Sequence, residues 1–255
     1  MTTLQPARNG FWRRFTPLFG LGLIGTAGIV PVLSRQLATL PTNLPLSPPA
    51  LIAVALAQTA VLVAVATALG AALAPRLGLR SHLAERGVGG PHVLPALAGE
   101  APLAVDLALR PLMPQEFLAA VQASVQASSS GLATLISGLL YGGIAEELLL
   151  RWGVMSLFAW VGWRIGQRGV GQPTTVVVWL AILGAALLFG LGHLPAAAAL
   201  APLTPAFVLR TVLLNSIFGI VAGWLFWRRS LEAAILAHMT VHVGFALARL
   251  LGGEV

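Results

Sequence analysis

Glu146 and Glu147 stand side by side in an apolar stretch, and Arg151 follows them after three leucines. The chain of 255 residues holds only eight acids, so an adjacent pair is a local concentration of charge that needs a reason. A charged side chain at the centre of a membrane helix costs about 2.5–3.5 kcal/mol on insertion scales. Acids at such depth therefore mark functional positions and call for a partner. Helical spacing supplies one: residues four apart share a face, which pairs Glu147 with Arg151, whereas Glu146 is rotated by about 100° from its neighbour. One acid is neutralised, and the other is left free to act as a general base toward water. Two acids that merely bind arginines and hold helices together would be the better reading in a soluble helix. At bilayer depth it is the poorer one.

Two later apolar segments carry histidines. His193 closes Phe189-Gly-Leu-Gly-His193, where Gly190 and Gly192 admit a second backbone and the imidazole can share a water with Glu146. His238 and His242 lie one turn apart on one face, a spacing that serves two metal ligands or two donors aimed at one oxyanion. Each histidine alone reads as readily as a core or interfacial side chain satisfied by carbonyls. Three such sites in the last half of the chain shift the reading to a membrane-buried hydrolytic centre. Asn215, the only asparagine of the second half, suits a hydrogen bond within a bundle. Tyr141 either lines the same cavity or sits at an interface. Ser128-Ser129-Ser130 reads as a helix entry, and the seven tryptophans read mostly as interfacial anchors.

The elements that must position these groups are membrane helices. With 57% apolar residues, 9% charged residues and a mean hydropathy of +0.88, the chain has far less charge than the roughly 25% of a soluble domain. The fold class is all-α, a polytopic transmembrane helix bundle of six to eight spans. The net charge of +7 comes from arginines set between apolar segments, which act as topology signals and form no nucleic-acid patch. The absence of cysteine excludes disulfides, thiolate metal sites and a cysteine nucleophile.

Arg8, Arg13 and Arg14 precede a first span at Leu18–Leu33, which places the N-terminus in the cytoplasm; no small-residue cleavage site marks a signal peptide. A proline-rich loop over 35–49 leads to a second span, Ala50–Ala74, followed by Arg76, Arg80 and Arg86. Residues 77–127 are interrupted by Gly89-Gly90-Pro91, Glu100, Asp106, Arg110 and Glu116, and parity of the flanking arginines asks for one tilted or re-entrant helix there. Residues 131–163 form either one helix or two short ones. Further spans are Thr174–Leu194, ending at Pro195; Ala206–Trp227, with Asn215, Gly219 and Gly223 on one small-residue face; and Leu231–Leu251. Residues 195–205 read as a loop. The chain divides into N-terminal helices with an ambiguous linker over 1–127 and a catalytic helix core over 128–251. No internal repeat is present, no motif specifies an oligomeric state, and the location is a cell membrane, with a bacterial inner membrane expected.

In this order on successive apolar segments, Glu146-Glu147-x3-Arg151, Phe189-x3-His193 and His238-x3-His242 resemble the motifs of CPBP intramembrane endopeptidases. These are the CAAX proteases and bacteriocin-processing enzymes of the Abi and Rce1-like branches. The likeness covers roughly residues 131–245. It implies that Glu146 and His193 activate the attacking water, that Glu147 and Arg151 support the acid helix, and that His238 and residue 242 stabilise the oxyanion. The substrate implied is a membrane-associated or lipidated peptide or protein, cleaved near the cytoplasmic face among membrane lipids. Two departures stand out. His242 occupies a position where the family usually has asparagine, and Leu150-Arg151-Trp152 replaces the frequent Phe-Arg-Gly. A divalent metal such as zinc is left open, with Glu146, His193 and His238 as a three-ligand set. Two rivals are a catalytically silent binding or immunity protein and a proton-coupled transporter, the latter lacking the inverted repeats of its kind.

Overall fold

The computed structural model describes residues 7–38, 46–85, 97–112, 118–119, 131–199 and 201–251. Among them there is no strand, and six helices are long and apolar enough to cross a membrane. Helices α1 (Ala7–Ala27) and α2 (Val30–Ala38) form the first. The second is α3 (Pro48–Leu73), which tightens into a 3-10 turn at Ala74–Leu77. After the four-residue α4 (His82–Glu85) comes α5 (Ala101–Leu109), flanked by 3-10 turns at Leu97–Glu100 and Arg110–Leu112. The remaining spans are α6 (Gly131–Gly166), α7 (Thr175–Gly192) continued through His193 into the short α8 (Leu194–Ala198), α9 (Pro205–Arg228) and α10 (Leu231–Leu250).

Local chemistry sets the ends. Pro48 and Pro49 begin α3, where a missing N–H costs nothing. Thr204 and Ser230 cap α9 and α10 by accepting from the backbone N–H groups of Phe207 and Ala233. Gly78, at φ 72°, ends the turn after α3 in the left-handed conformation that glycine adopts without strain. Residues 131–163 belong to one helix, not two. The loop expected over 195–205 is corrected in part: Leu194–Ala198 is helical, because Pro195 sits in a first turn, where proline is tolerated. Ser128-Ser129-Ser130, Gly89-Gly90-Pro91, Glu116 and the boundary at 127 lie outside the described residues.

Four arginine pairs mark one end of the bundle: Arg13 and Arg14 early in α1, Arg76 and Arg80 after α3, Arg164 and Arg168 at the close of α6, Arg228 and Arg229 between α9 and α10. Hydrogen bonds tie this end together. Arg13 Nη2 donates to the Glu85 carbonyl at 3.1 Å, and the Leu231 N–H donates to the Arg80 carbonyl at 3.0 Å. The Glu232 carboxylate accepts from Ser81 Oγ at 2.7 Å and from the N–H groups of His82 and Leu83 at 3.1 Å each. Glu85 thus lies at the arginine-rich end, whereas α6 finishes there and so begins at the other. The chain must change ends between them, as parity requires. Its described part runs from Gly99, pressed against the Ala237 carbonyl midway along α10, to Asp106, whose carboxylate holds Arg210 near the start of α9 at 2.8 and 2.6 Å.

Small residues let the helices close. A Cβ on Gly219 would lie 2.7 Å from Ala186 Cα, and one on Gly223 would lie 3.1 Å from Ile182, so α7 and α9 meet along the glycine face read from the sequence. Gly153 packs against Ala66, and Gly70 leaves the room that the Trp152 indole fills. Trp152 is 1% exposed and belongs to the core, unlike the interfacial anchors expected of the tryptophans. Trp12, by contrast, is 58% exposed. The N-terminal spans therefore grip the helix that carries the acid pair.

Candidate active site

Around the acid pair α6 is not wound as an ordinary α-helix. It is a π-helix over Gly138–Glu146 and again over Leu148–Met155. Bonds from i to i+5 are rare and concentrate at functional positions. Within this coil Arg151 Nε reaches Glu147 Oε2 at 3.1 Å, the pairing expected from the spacing. Glu147 has a second task that the sequence reading missed: its Oε1 accepts from His238 Nδ1 at 2.8 Å. Both acid and arginine are fully enclosed, at 0% and 2% exposure. The Arg151 guanidinium lies 4.7 Å from the Phe189 ring centre and 5.2 Å from that of Phe218, and its terminal nitrogens have no hydrogen-bond partner among the described residues.

Glu146 faces the other way, into a cavity of about 770 Å³ whose lining also includes Tyr141, His193, Asn215, His238 and His242. Its Oε2 is 3.8 Å from His238 Nε2, close enough for attraction and too long for a direct hydrogen bond. His238 is thus bracketed by both acids, one per ring nitrogen. His193 ends α7 and turns Nδ1 to the Phe189 carbonyl at 2.9 Å. A carbonyl can only accept, so Nδ1 carries the proton and a neutral ring keeps a lone pair on Nε2. His242 stacks on His238 with ring centres 5.1 Å apart and 12° between planes. Its Nε2 is buried without a hydrogen-bond partner among the described residues.

Neighbouring residues give the rings their places. A Cβ on Gly142 would lie 2.6 Å from His242 Nε2 and 3.2 Å from His238 Nε2, and one on Gly138 would run into the His242 ring. Only hydrogen fits at these two positions. Phe218 packs at 4.3 Å against His238, and Phe189 packs edge-on at 4.5 Å against His193. The glycines Gly138, Gly142 and Gly143 just before the acids were the available signal for close approach. Phe218 left none. Asn215 donates to the Thr211 carbonyl of its own helix at 2.8 Å while lining the cavity, and Tyr141 lines it too.

All four expected catalytic residues line this cavity, and the two supporting ones, Glu147 and Arg151, are enclosed beside it. Among the described residues no group of three histidine, cysteine, aspartate or glutamate side chains is arranged to hold a metal ion in this conformation. His193 and His238 each commit Nδ1 to another partner and keep Nε2 for the cavity.

Comparison with curated proteins and with solved structures returned no match. A family model does match, and together with the six apolar helices it makes the chain an integral membrane protein. The matched stretch contains the acid pair and all three histidines: residues 128–244 are similar to the family described as type II CAAX prenyl endopeptidase Rce1-like.

Proposed function

We propose that this protein is an intramembrane endopeptidase that hydrolyses a peptide bond of a membrane-associated or lipidated peptide, with Glu146 as general base. The observation that carries the reading is the unequal use of two adjacent acids. Glu147 is spent on Arg151 and His238, whereas Glu146 faces the cavity. Glu146 and His193 Nε2 are both acceptors, so one water can give a hydrogen to each and turn a lone pair toward the scissile carbonyl. As oxygen bonds to carbon, Glu146 takes the proton. The negative charge on the carbonyl oxygen then falls to a donor, and His242 Nε2–H, buried and otherwise unpartnered, fits that need. His238 gives Nδ1–H to Glu147 and adds a donor at Nε2 only when doubly protonated. Glu146 returns its proton to the leaving amine as the C–N bond breaks.

The test is turnover of a fluorogenic membrane peptide by the wild type and by Glu146→Gln. Loss of a general base is expected to lower the rate by about 10²–10⁴. Equal rates would overturn the assignment, and peptide held but uncleaved by both proteins would make this a binding protein instead.

A further inference from the structure

The cavity runs in one direction only. On α6 its lining residues extend from Thr134 to Glu146 and stop; on α10 they extend from His238 to Phe245; on α9 from Phe207 to Phe218. α6 and α9 run toward the arginine-rich end and α10 runs away from it. In all three helices, therefore, the cavity continues from the catalytic floor toward the end without the arginine pairs. There the lining residues Val32, Gln36, Pro195, Ala196 and Ala199 are exposed, and they form the mouth. Below the floor the bundle is closed by Phe226, Leu225 and Trp152, each essentially buried.

The two ends differ in charge. Against the four arginine pairs, the described residues at the mouth end hold Arg35, Arg110, Arg249 and Arg210, and Arg210 is neutralised by Asp106. Arginines flanking spans are retained on the cytoplasmic side, and α1 follows the same bias, with Arg13 and Arg14 near its start and Arg35 following on α2. We infer that the active-site cavity opens on the non-cytoplasmic face of the membrane. Resting on the peptidase reading above, this makes the substrate class membrane-anchored segments presented on that face, in place of the cytoplasmic cleavage expected from the sequence.

Because the chain has no cysteine, single substitutions report directly on sidedness. Ala199→Cys places a thiol at the mouth, and Val170→Cys places one in the turn after α6, where the residue is 73% exposed. In intact cells a membrane-impermeant maleimide is expected to label Ala199→Cys and to label Val170→Cys only after permeabilisation. The reverse pattern, or equal labelling of both in intact cells, overturns the inference. An impermeant fluorogenic peptide is expected to be cleaved by right-side-out vesicles and not by inverted ones; cleavage only by inverted vesicles overturns it as well. Labelling as expected with no cleavage by either preparation sustains the orientation and removes the peptidase reading, so the two can fail separately.

Discussion

His238 meets two carboxylates, at 2.8 Å through Nδ1 and at 3.8 Å through Nε2, and this asymmetry decides what its ring can do. With Nδ1–H given to Glu147, a neutral ring presents a lone pair to the cavity. That leaves His242, stacked against it, as the donor whose proton needs no further protonation event. His242→Gln keeps an amide donor at about the reach of Nε2, so turnover is expected to stay within about tenfold of wild type, whereas His242→Ala is expected to lose about 10²–10³ in kcat. Single-turnover kinetics of both variants check this, and equal losses would remove the oxyanion role. Much of this residue-level picture was legible in the chain. Glu147 and Arg151 are four apart, and local spacing predicts local pairing. The Glu147–His238 bond was not legible, because its partners are 91 residues apart and no periodicity links them.

At the scale of elements, the site depends on one irregular helix and on glycines that let rings approach it. Gly142→Ala adds a Cβ that His242 cannot avoid without shifting, so turnover is expected to fall, with a stability loss of about 1–3 kcal/mol from overpacking. Gly131 and Gly166 in the same helix have nothing within 4 Å of a built Cβ. Gly131→Ala and Gly166→Ala should leave activity intact and raise stability slightly, by up to about 1 kcal/mol. Thermal unfolding in detergent, read beside the activity assay, separates the two classes. The existence of α6 was legible from its apolar length, but its π-winding was not: an apolar stretch carries no pattern that distinguishes i+4 from i+5 bonding. Trp152 shows a related limit. Beside an arginine it reads as an interfacial residue, and only the space over Gly70, far away in sequence, makes it a core residue.

Over the whole molecule, the span count followed from hydropathy, and the need for a passage between α4 and α6 followed from arginine parity. The path of that passage did not. It is pinned by Asp106 and Arg210, a pair separated by 104 residues. Asp106→Ala leaves a guanidinium without its carboxylate and is expected to cost about 3–5 kcal/mol, while Asp106→Ala with Arg210→Ala should recover part of that loss. Unfolding midpoints of the two variants in one detergent decide it; an equal loss in both would mean that the pair does not act as a unit. The pair Glu147–Arg151 has another consequence, for biosynthesis. Both charges sit on α6, so this pair can leave the translocon already neutralised, before any later helix exists. The histidines arrive afterwards, His193 with α7 and His238 with α10. A nascent chain therefore brings Glu147 into the membrane already paired, with Glu146 alone uncompensated, and completes the site only when α10 is in place.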